Sequence, residues 1–530
     1  MIRASLAAAI AVAASAWSSF GPLAFGQEET DQRFGTVHFA TSCNETAQRR
    51  FDRGMRYQHS FWYQASSEIF EDVLKADPEC GIAYWGIALS LLYNPHAPPP
   101  APNLPLGLAA LQKGKTISAK TQRERDYIDA LTVFFTDYDK VPHGARVQAY
   151  LRALEALAQK YPDDDEAQIF YAITLNVAAS PNDKIYANQL KGAAILEPIF
   201  RRQPRHPGIA HYLIHLYDTP ALAERGLDAA KRYAAIAPAA PHALHMPSHI
   251  FTRLGYWNDS IASNIASERA AKDSKSFGDE LHAMDYLVYA YLQEAQDQKA
   301  RAVVADMNAV TVDPDQFPGP YALAASPARY AVERGDWEGA AKLEVRPSKF
   351  AYADAITYFA RALGAARSGN PAAAKAEIAK LAELREKLRD AKDAYWTEQV
   401  DIQWQIARAW VLYAEGKYDD ALKAMSAAAD AEDRTEKHPV TPGVPAPART
   451  LLGTMLLDRG MAREALAAFE GAIRKEPNRF NAIAGAAQAA QRLGDKANAK
   501  EYYQKLTTIA SNADTIRPDL AAARKFLTSN

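Results

Sequence analysis

The sequence predicts an all-α solenoid of stacked helix–turn–helix hairpins. A chain of 530 residues exceeds what one compact core serves, so it is either several domains or an extended repeat array. Apolar residues recur at helical spacing, and no stretch alternates convincingly as a strand does. Small, aromatic and proline residues also recur in a fixed order. Near the start these are Gly54, Tyr57, Phe70 and Pro78; near the end they are Gly453, Ala465, Phe469, Ala472 and Pro477. A small residue lets two helices approach, an aromatic ring fills the gap, and proline ends the second helix.

Residues 1–26 read as a signal peptide. Arg3 precedes an apolar run over 4–16, and small residues Ala24 and Gly26 precede the polar Gln27-Glu28-Glu29. The apolar run is shorter than the ~20 residues a spanning helix needs. The mature chain is therefore expected to be periplasmic or secreted, and not an integral membrane protein after signal cleavage. An N-terminal extension covers 27–43. Cys43 precedes the first helix and Cys80 opens the third; an oxidising compartment leads us to expect a disulfide between them.

Residues 44–205 hold the first block of hairpins. After the first hairpin come Gly81-Ile82-Ala83-Tyr84-Trp85-Gly86 and a proline-rich loop from Asn94-Pro95-His96 to Pro105. Helices are expected over 123–135, 145–160, 167–179 and 189–203. The acids from Asp163 to Glu166 read as a helix cap, because an EF-hand's glycine and final glutamate are missing. Residues 206–300 form a central, histidine-rich block. Residues 301–437 continue the hairpins, including pairs at 358–368 with 372–388 and 404–415 with 418–429. A Pro-rich linker, 438–447, leads to the last repeats, 448–530.

Charge is balanced, with 61 Lys and Arg against 63 Asp and Glu and a net charge of -2. No basic stripe stands out, which argues against nucleic acid as a partner.

The repeat grammar resembles that of tetratricopeptide repeat (TPR) proteins over most of 44–520. The resemblance implies a right-handed TPR-type α-solenoid whose concave groove takes a protein or peptide partner. Four segments, SCNETAQRRFDRGMRYQHSFWYQAS, DPECGIAYWGIALS, HPGIAHYLIH and HALHMPSHIFTRLGYW, are similar to those of a group of exported bacterial TPR proteins. That similarity implies fold and export, marks His59, His211, His215, His245 and His249, and supplies no reaction. The group often carries glutamate where this chain has Asp218.

Residues 206–257 hold six of the twelve histidines. Thirty-four residues separate His211 from His245, and His215 from His249, which is one repeat period. Each block carries an i, i+4 pair, and His242 joins the second pair at i, i+3 and i, i+7. The TPR resemblance implies that these positions line the groove from neighbouring helices, with His59 on an earlier one. Packed helices lie roughly 8–10 Å apart, so imidazoles reaching across can share one ion.

His211, His215, His242, His245 and His249 are therefore the candidate ligands of a copper or zinc ion, for which three or four neutral imidazoles suffice. His59 and His282 are additional candidates. Asp218 and Asp285 are candidate ligands or partners of the far ring nitrogen. Met246 follows His245 directly, points about 100° away and reads as core. Two other readings stay open. The histidines pack between close helices beside Tyr212, Tyr217 and Phe251, or the groove binds an organic anion or peptide through Tyr212, Arg253 and Asn264.

Ser248 lacks the glycine-flanked elbow of a nucleophile. HALH lacks the glutamate of HExxH, and no phosphate-binding glycine loop follows a strand, so no nucleotide cofactor is indicated. The leading expectation is a solenoid that binds a ligand through a histidine-held transition metal, in a binding, delivery or assembly role. The alternatives are a metal-dependent enzyme using an open coordination position and a metal-free interaction scaffold. In the scaffold, the repeats from Arg449 onward capture a partner.

Overall fold

A computed structural model describes residues 33–529; the expected signal peptide lies outside them. The described residues form an all-α solenoid of the tetratricopeptide type, with no strand among them. The helices of the first part are α1 Glu45–His59, α2 Tyr63–Ala76, α3 Ile82–Ser90, α4 Asn103–Ile117, α5 Gln122–Phe135, α6 His143–Lys160, α7 Asp165–Val177 and α8 Ala187–Arg202. The central part holds α9 Pro207–Tyr217, α10 Leu227–Ile236, α11 Pro241–His245, α12 Pro247–Leu254, α13 Trp257–Ser274, α14 Phe277–Gln293 and α15 Asp297–Asp306. Next come α16 Pro318–Glu333, α17 Trp337–Ala341, α18 Ala351–Arg367, α19 Pro371–Asp390, α20 Ala394–Ala414 and α21 Tyr418–Arg434. The last set is α22 Ala448–Asp458, α23 Ala462–Lys475, α24 Phe480–Arg492, α25 Lys496–Ile509 and α26 Pro518–Ser529.

The small–aromatic grammar is a clamp. The Phe70 ring of α2 lies between α1 and α3, where a Cβ on Gly54 or Gly86 would come within 2.8 or 2.6 Å of it. Phe469 of α23 lies in the same way against Gly453 of α22 and Gly485 of α24. Any larger residue would force neighbouring helices apart and forfeit the contacts of a close-packed interior. Side-chain caps add to this: Asn44 accepts from the Ala47 N–H, and Thr121 and Glu124 form a capping box. Cys43 and Cys80 are joined by a disulfide, with Cα atoms 5.1 Å apart, which ties the start of α1 to the start of α3.

Two features differ from the sequence expectation. The second histidine helix is two short helices, because Pro247 has no N–H to continue α11. The residue pattern predicts a helix over 286–296; α14 instead starts at Phe277 and so carries both His282 and Asp285.

The last hairpins fold back onto the centre. The Trp257 indole donates to the Asn478 carbonyl (2.9 Å), and the Phe480 N–H donates to Gln293 (3.1 Å). Arg479, only 1% exposed, pairs with Glu333 and Glu476, and Arg517 pairs with Asp297. Residues 438–447 connect the two sets of hairpins as a buried strap: Val440, Thr441, Ala446 and Pro447 are all inside. Together with the residues just before it, the strap closes over the histidine-rich centre.

No helix of the described residues is long and apolar enough to cross a membrane.

Candidate metal centre

Among the described residues, three groups of buried side chains offer converging ligand atoms. They are His211, His215 and His242; His245, His249 and His282; and His59, Glu166 and His206. Within each group the donor atoms lie within 4.8 Å of one another. The sites differ in what holds each ring.

In the first group the His211 Nδ1–H donates to the His59 carbonyl at 2.7 Å. That carbonyl is one of the unpaired groups at the end of α1. The donation leaves the Nε2 lone pair of His211 free, and it meets both His215 Nε2 and His242 Nε2 at 3.1 Å. One lone pair cannot accept well from both. His215 Nδ1 has no partner among the described residues. Phe61 covers this group, its ring centre 4.2 Å from His211 and 5.1 Å from His242. Its φ is +57°, a left-handed conformation that costs a non-glycine residue about 1–2 kcal/mol.

In the second group two rings are fixed from behind. The His245 Nδ1–H donates to Asn264 Oδ1 at 2.6 Å, and the Asn264 amide donates in turn to the Ser260 carbonyl, which sets its orientation. The His249 Nδ1–H donates to Asp218 Oδ2 at 3.0 Å. Both Nε2 atoms then carry lone pairs, yet they face each other at 3.0 Å. A tetrahedral ion bound at about 2.0–2.1 Å separates its nitrogen ligands by about 3.3 Å, so this spacing fits a shared cation. The His282 ring centre is 4.2 Å from that of His245.

The third group is held together by its own carboxylate, with His206 Nδ1 left without a partner among the described residues. The Nε2–H groups of His59 and His206 donate to the two oxygens of Glu166 at 3.0 and 2.9 Å, and Tyr212 O–H reaches His59 Nδ1 at 3.0 Å. Burial alone would raise the Glu166 carboxyl, but the two imidazoles hold it below its usual range. His59 is therefore not a ligand of the groups formed by the other predicted histidines; it shapes the site through its backbone carbonyl.

The rings of the first two groups titrate low. Burial, reinforced by neighbouring rings, pushes His211 and His282 to about 3 and moves His215, His242 and His245 well below their ordinary value. Neutral imidazole is the ligand form.

The two acids separate. Asp218 Oδ2 accepts from His249 and from Lys437 Nζ (2.9 Å), and its Oδ1 accepts from Arg253 Nε (2.7 Å). It orients a ring and does not converge on the nitrogen atoms. Asp285 is corrected outright: it faces Ser326 and Arg329, at 3.0 and 3.3 Å, because the full arginine of α16 is buried beside it and needs a counter-charge. Arg253 and Asn264, read as groove residues for an anion, are spent on Asp218 and His245. The site is also enclosed, not an open groove; His211 is 0% and His245 and His249 each 1% exposed. Met246 is buried core, at 0%.

Sequence reading missed His96, whose Nε2 is buried without a partner and whose ring centre lies 4.5 Å from His215. It also missed Glu166 and Lys437. Glu166 sits 107 residues from His59, and Lys437 sits 219 from Asp218, so no spacing joins them.

No family model and no curated protein matches this chain. Among solved structures, the chain is similar to the APC/C hetero-tetramer Cut9-Hcn1, at 11% identity and TM-score 0.30, covering 91% of this chain and 95% of that one. It is also similar to Naa15/Naa10 bound to HypK-THB, at 13% identity and TM-score 0.19, covering 91% and 79%. At these scores neither likeness bears on function.

Proposed function

We propose that the protein is an exported tetratricopeptide-type solenoid whose enclosed centre binds a transition metal, copper or zinc, in a binding or delivery role. One observation carries the reading: His245 and His249, each fixed by an acceptor on Nδ1, turn bare Nε2 lone pairs toward each other at 3.0 Å. Two lone pairs at that distance repel, and a cation between them converts the repulsion into two bonds. All-imidazole donors suit copper and zinc over magnesium or calcium. The N-terminal 26 residues and the Cys43–Cys80 pair support an oxidising compartment outside the cytoplasm.

Metal analysis of protein purified without an affinity tag tests the reading. Bound metal that is lost in a His211→Ala/His245→Ala variant supports it. Metal-free protein whose melting is unchanged by added copper or zinc rejects it.

A second reading, a scaffold for a partner protein, is favoured by a separate feature. The last hairpins border a groove of about 300 Å³ lined by Trp337, Arg367, Thr454, Gln488 and Arg492, among others. A partner helix or tail held there predicts that photo-crosslinking from Thr454 yields one discrete adduct, weakened by Arg492→Glu and indifferent to the histidine variant. The two readings are compatible, since groove and metal centre share no ligand.

A further inference from the structure

The six imidazoles of the first two groups form adjoining sets of three. The His215 and His249 ring centres are 5.8 Å apart, and those of His242 and His245 are 6.0 Å apart. The sets share no donor. Three donors make one site for a tetrahedral ion and leave its fourth position open.

Neither set contains a carboxylate. Asp218 is turned to the back of His249 and is already neutralised by Arg253 and Lys437. Asp285 is paired with Arg329, and Glu166 with His59 and His206. Asp279 is 3.9 Å from His242 Nδ1, the nitrogen away from the converging Nε2 atoms. Two divalent ions held here would bring four positive charges among six neutral donors. Lys437 and Arg253 stand close behind. Buried charge without a counter-charge is expensive, and among the described residues no carboxylate joins either set of converging nitrogens to supply it.

Building on the metal reading above, we infer that the two sets hold two ions as one dinuclear centre, and that a small exogenous anion of the hydroxide or azide class occupies the open positions between them. Two polar groups lie against the two sets without a strong partner of their own. His96 Nε2 is buried and unpaired beside His215. The Tyr286 hydroxyl lies 3.4 Å from His249 Nε2. Both can hydrogen-bond an anion held there.

The test uses full-length protein purified without a tag, stripped with a chelator and titrated with Cu(II), with azide as the probe anion. The expected saturation is two ions per chain. The electron paramagnetic resonance signal should fall as the second ion enters, because bridged Cu(II) ions couple their spins, and azide should add a ligand-to-metal absorption band. His282→Ala removes a donor from one set only and should halve the stoichiometry, leaving a full mononuclear signal. Should that variant fail to fold, the wild-type signals decide. Saturation at one ion overturns the dinuclear centre but leaves the metal reading standing. Two ions with undiminished, independent signals and no azide response overturn the bridge. No bound copper at all overturns both.

Discussion

The group of His59, Glu166 and His206 and the group of His245, His249 and His282 are equally buried, but they are completed differently. In the first, a carboxylate accepts from two rings at once, and both N–H donors are used. In the second, the carboxylate and amide lie behind the rings, on Nδ1, and leave the front nitrogens facing one another. The position of one acceptor relative to the ring separates a strut from a site. A histidine cluster by itself says neither.

The difference yields graded expectations. The largest concerns metal: a thousandfold excess of copper or zinc over its dissociation constant should stabilise the wild type by about 4 kcal/mol for each ion bound, read by calorimetry, and should leave His211→Ala/His245→Ala, which breaks both sets, unmoved. Next, Glu166→Gln should cost about 3 kcal/mol in denaturant unfolding, since two ring N–H groups lose their charged acceptor, while bound metal stays the same. Metal loss in Glu166→Gln with no loss in the double histidine variant would reverse the assignment of strut and site.

Gly208→Ala should be milder, about 1–3 kcal/mol. Its Cβ would fall 2.4 Å from His59 Nδ1, so it disturbs the strut first and the His211 anchor through the same residue.

The last expectation is one of pH. Glu432 is a buried acid without the imidazoles that hold Glu166 down; burial pushes its carboxyl up to about 7, against the opposing pull of Lys475. Its folded value is therefore raised above the ordinary 4.5. Its contribution to stability is fully present below pH 4.5 and is lost as pH rises through about 7. Glu432→Gln should flatten the wild-type decline in melting temperature across that range. An unchanged slope would mean that Glu432 is not the group responsible.

Much of this was legible in the sequence. The hairpins follow from residue pattern, because Gly54 with Phe70 and Gly453 with Phe469 are local contacts between neighbouring helices. The stripe of His211, His215, His242, His245 and His249 follows from helical spacing and one repeat period, since spacing along a helix fixes which face a residue occupies. The fold-back of α24 onto α13 and α14 was not legible, nor was the burial of the strap at 438–447. These depend on single distant pairs such as Trp257 with Asn478.

The amino-acid sequence by itself determined the repeat architecture and which histidines share a face. The tertiary structure alone decided what each ring does there. A ring's free nitrogen is set by the acceptor behind its other nitrogen. Those acceptors come from other segments: the His59 carbonyl 152 residues from His211, Asp218 31 residues from His249, and Asn264 of α13 19 residues from His245. The same holds for the acids. Asp285 has the proximity in sequence to serve His282, but Arg329 lies 3.3 Å from it and takes its charge, because a buried guanidinium left unpaired would cost more than an imidazole left without a carboxylate.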